Sequence, residues 1–363
     1  LFSLLEPLRG GLASLGAPPW LQGLVADGLY RTTAWVVAVM LPPMAIFFPL
    51  FTLLEDAGYL PRVAFNLDGL MCRCGGHGRQ SLTMCMGFGC NACGVTGCRI
   101  IDSPRERLTA QLTNSLVPCN GRFPTLVALI SLFFLGNTRG PGRRLLGAGL
   151  FLAVILFSVG MTLLTSKFLS RTLLRGQVSS FSLELPPYRL PQIGKVLVRS
   201  LLDRTLFVLG RAVTVAMPAG AVLWLLSNLA VSGRPLLAVL AGFLQPLGDL
   251  MGLDGMVLLA FFLAFPANEI MLPVLAMGYL STSVMADIGT ARLGQVLALH
   301  GWSWQTAVCA AVLCLMHLPC GTTCLTLLKE TGSKKWTLVG MLLPLSMGIL
   351  LCCMLHGLFC IFA

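Results

Sequence analysis

The chain reads as an all-helical, polytopic membrane bundle of about eight spans, built from two related halves with broken helices. Three observations predict this. Charged residues make up 11% and hydrophobic residues 56% of the 363-residue chain, whereas soluble proteins carry about 25% charged residues. Several runs without formal charge are long enough to cross a bilayer. Those runs are interrupted by Gly, Pro, Cys and Asn at corresponding places in the two halves, and backbone freed from helical bonding is tolerated at membrane depth only where it lines a cavity or is covered by protein.

In chain order, residues 1–31 are mixed and contain Pro18-Pro19-Trp20, which reads as an amphipathic lead-in at the membrane surface. Thr32 to Leu54 carries no charge and spans, with Pro42, Pro43 and Pro49 predicting a kink or break. After a polar connection, the stretch Ser81–Arg122 interleaves Gly87, Gly89, Gly94 and Gly97 with Cys85, Cys90, Cys93 and Cys98. Ser103 to Arg107 then reads as a helix start, with Ser103 as N-cap, Pro104 in the first position and Glu106 closing a capping box. A second break follows at Pro118-Cys119-Asn120-Gly121, and the apolar run Phe123–Thr138 completes a first unit over 32–138.

A middle segment, 139–200, holds the clean span Leu145–Ser166 and enters a basic connector (Lys167, Arg171, Arg175, Arg189, Lys195, Arg199, Arg204, Arg211) around the rigid Glu184–Pro191. A second unit, 201–331, holds the span Ala212–Gly233 with Pro218 in it, the short Pro235–Gly248, and two broken apolar runs. Gly255–Leu280 breaks at Phe265-Pro266-Ala267-Asn268-Glu269, and Leu293–Leu328 at His317-Leu318-Pro319-Cys320. A final helix occupies 332–363. Lys and Arg favour the cytoplasmic side. The basic connector and the Lys329–Lys335 turn can share that side if Gly255–Leu280 dips in and returns rather than crossing. Arg139, Arg143 and Arg144 then fall outside, against the charge rule.

The breaks hold the chemistry. Glu269 sits in a long uncharged run, where a carboxylate costs several kcal/mol unless paired or bound to a cation. Asn268 adjoins it. Cys90, Cys119 and Cys320 each occupy a break rather than a helix face, and thiolates favour soft or borderline metals such as Fe(II), Zn or Cu(I). Asn91 and Cys93 flank Cys90. His317 lies three residues before Cys320, an offset that places both on one face if the helix continues. Cys309, Cys314, Cys352, Cys353 and Cys360 read as packing residues, His300 and His356 as structural, and Cys72, Cys74, His77 and Cys85 as a Gly-rich loop without a standard zinc spacing.

Other classes are disfavoured. The 14 cysteines lie mostly in or beside apolar spans, unlike a short secreted disulfide scaffold. The formal charge of +11 is not arranged as basic runs with aromatics, so no nucleic-acid partner is expected. Phosphate-loop, zincin, nucleophile-elbow and dinucleotide motifs are absent, so the chain is read as a transporter, not an enzyme. It opens on Leu1 rather than Met and is expected to be a piece of a longer or processed protein.

Taken in order, Gly87–Asn91 (GFGCN), Ile101–Leu108 (IDSPRERL), Pro118–Arg122 (PCNGR), Glu184–Pro191 (ELPPYRLP), Phe265–Glu269 (FPANE) and His317–Thr331 resemble the membrane module of the FeoB ferrous-iron transporters, in a cysteine-rich form similar to clostridial-type members. The resemblance implies two Gate domains flanking a FeoB-specific middle segment, in a bacterial inner membrane. It implies Fe(II) uptake coupled to a cytosolic GTPase domain or subunit, which would bring GTP and Mg and is expected outside this chain. A small accessory Feo protein and a homo-oligomer are compatible with it. Its pore ligands fall on Cys90, Cys119, Glu269 and Cys320, with Asn91, Asn268, His317 and Cys93 beside them. Two rivals stay open: a Gate-fold carrier for another divalent metal or small solute, and a membrane thiol sensor or scaffold.

Overall fold

In a bilayer the backbone must satisfy its own hydrogen bonds, so apolar runs become helices. The computed structural model describes residues 2–135, 141–174, 205–231, 233–282 and 289–362, with isolated positions between 193 and 202. Arg139 and most of the basic connector, including Glu184–Pro191, lie outside the described residues. Among those described, six helices are long and apolar enough to cross a membrane, or seven if the bent pair Leu236–Met251 and Gly255–Leu263 counts as one span. Among the described residues, strands are confined to β1 (Ala230–Val231) and β2 (Arg234–Pro235), a short antiparallel turn. The expected all-helical membrane bundle is therefore what the chain forms.

A short helix, α1 (Leu5–Ser14), leads into α2 (Pro19–Asp56). The second helix starts well before Thr32, so residues 19–31 run into the first span as continuous helix. Asp27, within this helix, is paired with Arg9 and with Arg31, the latter at 3.5 Å. Pro42, Pro43 and Pro49 lie inside the helix without ending it. A π-helical turn over Leu24–Tyr30 precedes the regular part.

Polar contacts identify two rims. At the basic rim, Arg105 reaches the Ser170 carbonyl at 3.5 Å. Arg99 donates twice to Glu330, both at 2.8 Å, and Arg79 bonds Asp102 at 2.8 Å. At the other rim, Trp302 Nε1 donates to the Tyr279 hydroxyl at 2.9 Å. The Trp302 ring stacks on Phe133 there, and the Tyr279 hydroxyl donates to the Asp254 carboxylate.

Two hairpins enter from opposite rims. The first is α4 (Gln80–Gly89) with α5 (Asn91–Gly97), following the amphipathic α3 (Tyr59–Arg73). Arg79 ties its start to its end through the Ile100 carbonyl and Asp102. After α9 (Leu206–Asn228) and α10 (Leu236–Met251), the second hairpin is α11 (Gly255–Leu263) with α12 (Met271–Tyr279). It is closed by the Tyr279–Asp254 bond, so Gly255–Leu280 does dip in and return to its own rim.

Each hairpin is followed by a broken crossing. In the first half α6 (Pro104–Thr113) and α7 (Phe123–Leu129) flank the Pro118–Gly121 break, and the long α8 (Pro141–Arg171) returns. In the second half, after α13 (Thr290–Leu299), α14 (Trp304–Met316) and α15 (Gly321–Thr331) flank the His317–Cys320 break, and α16 (Lys334–Phe362) returns. The halves thus run in opposite senses, as an inverted repeat. The hairpin tips match in detail. Cys90 has φ −155° and ψ 123°, and Ala267 has φ −153° and ψ 122°.

α2 and α9 pack against each other through small residues. A Cβ on Gly220 would strike the Gly28 carbonyl and Thr32, and one on Gly23 would strike Trp224. The largest apolar core surrounds the second hairpin and α14, with Val257, Ala260, Val274, Leu275 and Leu313 fully buried. α6 begins at Pro104 with Ser103 in the N-cap position, but the Ser103 side chain makes no cap bond. The capping box inferred from spacing is therefore not formed.

Candidate metal passage at the helix breaks

The four breaks meet inside the bundle. The first hairpin tip is covered by the proline-bearing part of α2: Met44 and Phe48 pack on Cys90, and a Cβ on Gly89 would collide with the Phe47 ring. Cys93, one turn beyond, lies within side-chain hydrogen-bonding reach of Cys90. The amide NH2 of Asn91, turned toward its acceptors, donates to the carbonyls of Gly87, Asn114 and Val117 at 3.1, 3.2 and 3.2 Å. The Asn91 backbone carbonyl accepts from Asn114 Nδ2 at 3.1 Å. Asn91 thereby ties the first hairpin to the break that follows it.

Asn268, the next residue after Ala267, makes the corresponding tie in the second half. Its Oδ1 lies 3.1 Å from His317 Nε2, and the Gly321 N–H donates to the Phe265 carbonyl at 2.6 Å. Asn268 also reaches the other half: its Nδ2 donates to Cys119 Sγ at 3.6 Å. Glu269 is buried and presses on the first-half break, where a Cβ on Gly121 would run into its carboxylate. Glu269 Oε2 has no hydrogen-bond partner. Cys320 caps the start of α15 and sits 3.1 Å from Thr323 Oγ1. α15 packs along α5, bringing the Cys320 side of the molecule to the Cys90 side.

His317 is not on a shared helical face with Cys320. It ends α14 in extended backbone, with ψ −177°, and Cys320 starts a new helix. The offset of three residues spans a break, so the helical-face argument does not apply. What positions His317 is a bond from its Nδ1 to the Cys314 carbonyl at 2.8 Å, and its ring tilts against Phe261.

One feature was not legible as a site residue. Arg122 is fully buried, and its Nη1 donates to the Ser115 carbonyl at 3.0 Å and, across the halves, to the Leu315 carbonyl at 2.7 Å. Its Nε and Nη2 have no partner. The signal was present, because Arg122 directly follows a break and is the one charged residue between Arg107 and Arg139.

The arrangement places thiols, a carboxylate, amides and an imidazole from both halves around the meeting point of the breaks. Among the described residues no three His, Cys, Asp or Glu side chains converge closely enough to hold a metal ion. All 14 cysteines are free. Of those read as packing residues, Cys309, Cys314 and Cys352 are buried, with Cys352 Sγ donating to the Cys309 carbonyl at 3.3 Å, whereas Cys360 is exposed and lies 3.6 Å from His356 Nε2. The predicted Gly-rich loop is confined to residues 74–79, since Cys72 lies in α3 and Cys85 in α4, and there His77 Nδ1 accepts from the Arg79 N–H at 3.0 Å.

Residues 37–133 match the Gate domain, described as nucleoside recognition, and residues 151–203 match the ferrous iron transport protein B C terminus. The chain is 30% identical over 341 residues to a Fe(2+) transporter FeoB of Staphylococcus aureus, covering 91% of this chain and 48% of that protein. It is 28% identical over 333 residues to a Fe(2+) transporter FeoB of Methanocaldococcus jannaschii, covering 88% and 47%. It is 25% identical over 373 residues to a Fe(2+) transport protein A/FeoB fusion protein of Porphyromonas gingivalis, covering 90% and 43%. The chain thus spans about half the length of the curated relatives it matches. No solved structure matches it. A multi-pass helical bundle, a Gate domain followed by a FeoB C-terminal domain, and FeoB relatives aligned along nine-tenths of its length together place this chain in the FeoB family, as a membrane module of it.

Proposed function

We propose that this chain forms the membrane passage through which Fe(II) enters the cytoplasm, crossing where the breaks of the two inverted halves meet. One observation carries the reading: the run Cys119–Asn268–His317 joins first-half and second-half breaks through side chains alone, with Glu269 against Gly121 beside it. A borderline divalent ion takes mixed thiolate, carboxylate and carbonyl ligands. Cys90, Cys119, Cys320 and Glu269 would replace part of the hydration shell. Asn91, Asn268, Cys93 and His317 act as neighbours that orient those ligands. No complete ligand set stands ready, so the shell closes only as one half rocks against the other. A GTPase domain or subunit outside this stretch, with its GTP and Mg, would drive that motion. The fusion of an A protein to a FeoB relative supports a small accessory partner.

The test is metal uptake by proteoliposomes or an iron-starved host, comparing Fe(II), Zn(II) and Mn(II) for Cys90→Ser, Cys119→Ser, Cys320→Ser and Glu269→Gln. Loss of Fe(II) flux with retained folding is expected for Glu269→Gln and at least one thiol variant. Undiminished flux in all four would end the proposal. A thiol sensor, by contrast, would leave Glu269→Gln silent.

A further inference from the structure

A cavity of about 550 Å³ opens between α7, the π-helical turn Ile130–Phe134 and the first turns of α8. Its walls are apolar, formed by Val127, Ile130, Leu135, Ala148 and Phe151, and its rim carries Arg143 and Arg144. The volume lies in the range of about 300–1,000 Å³ typical of small-molecule sites. Both arginines are exposed. They occupy the first turn of a long helix that has no acid there, where the helix dipole already favours an anion. Among the described residues neither arginine is in an ion pair. They also sit at the rim opposite the basic one, where the charge rule disfavours them.

We propose that this cavity binds one phospholipid with an anionic headgroup, an acyl chain lying along the apolar walls and the phosphate held by Arg143 and Arg144. The two features select the occupant jointly. A free phosphate would leave the apolar walls uncovered. A net-neutral lipid offers a phosphate too, but its own headgroup cation competes with the two arginines for it and adds a third positive charge beside them. An anionic lipid satisfies both, because arginine forks match phosphate oxygens bidentately and the walls take the chain. The proposal does not depend on the identity of the transported ion.

The test uses the full chain, purified and delipidated in neutral maltoside detergent, with lipid retention followed by native mass spectrometry. Probes are phosphatidylglycerol, phosphatidylcholine and inorganic phosphate. The wild type should retain one phosphatidylglycerol in preference to phosphatidylcholine. The double variant Arg143→Gln/Arg144→Gln should weaken that retention by roughly tenfold or more, to the level of phosphatidylcholine on the wild type. Ala148→Trp, which narrows the cavity and keeps both arginines, should weaken it as well. Equal retention of the two lipids by the wild type would overturn the proposal. So would unchanged retention in the double variant, or displacement of the lipid by phosphate at matched concentration. Arg143 and Arg144 are surface residues, so the double variant decides the matter even if Ala148→Trp fails to fold.

Discussion

Asn268 shows how much one side chain can organise at a break. It bonds His317 within its own half and Cys119 in the other. Replacing Asn268 by Ala leaves His317 Nε2 and Cys119 Sγ buried without that partner, and is expected to cost about 1–3 kcal/mol, read as a lowered midpoint in thermal unfolding of the detergent-solubilised protein. Gly121 is constrained differently. Gly121→Ala puts a methyl group into the Glu269 carboxylate, so Fe(II) flux should fall even where the fold survives, and a fully active Gly121→Ala protein would contradict the close approach. Outside the spans, burial first and the Asp68 carboxylate second push the Cys72 thiol up to about 11. A raised thiol pKa keeps the neutral, unreactive form through neutral pH. Maleimide labelling of Cys72 should therefore stay slow at pH 7–8 and accelerate as pH rises toward 11, and Asp68→Asn should move that profile to lower pH.

Among the elements, α2 and α9 depend on small residues at their crossing. Gly220 lies against the Gly28 carbonyl and Thr32, and membrane helices that approach closely do so through such residues. Gly220→Val should force the helices apart and destabilise by about 1–3 kcal/mol, measured by the same unfolding midpoint. The two hairpins illustrate a second rule. Each is short, ends at a break with extended backbone, and is closed at its rim by a polar side chain, Arg79 in one and Tyr279 in the other. The Gly and Pro punctuation marked where these elements stop. It did not by itself reveal that they fold back, since returning and crossing segments have the same composition; for Gly255–Leu280 the return was suggested only by the placement of the basic residues around it.

For the whole molecule, the inverted repeat makes the basic rim a seam between halves. Arg99, at the end of the first hairpin, holds Glu330, at the end of the second broken crossing. Arg99 is largely exposed, with 67% of its side chain accessible, so the pair should contribute no more than about 1 kcal/mol to stability and be weakened by salt. Arg99→Gln and Glu330→Gln are expected to leave the unfolding midpoint nearly unchanged. They should alter uptake rate if the seam opens during transport, and identical uptake in both variants would exclude the seam from the motion. Side assignment has its own check. Lys334→Cys and Arg143→Cys should label from opposite faces of intact cells with a membrane-impermeant maleimide, Arg143→Cys from outside.

By itself the sequence determined the solvent, the helical class, the positions of the breaks and the residue types at them. Those properties are local, because charge scarcity and Gly, Pro and Asn punctuation act on the chain where they stand. The family was legible for the same reason, as short motifs in a fixed order. Tertiary structure alone decided that residues 19–31 continue as helix into the first span and that Asp27 in them is paired from a separate helix, by Arg9. It decided that His317 faces Asn268 rather than sharing a helix with Cys320, and that Arg122 bridges the halves. It also decided the inversion of the repeat, because orientation depends on which rims meet, and those contacts join residues far apart in the chain.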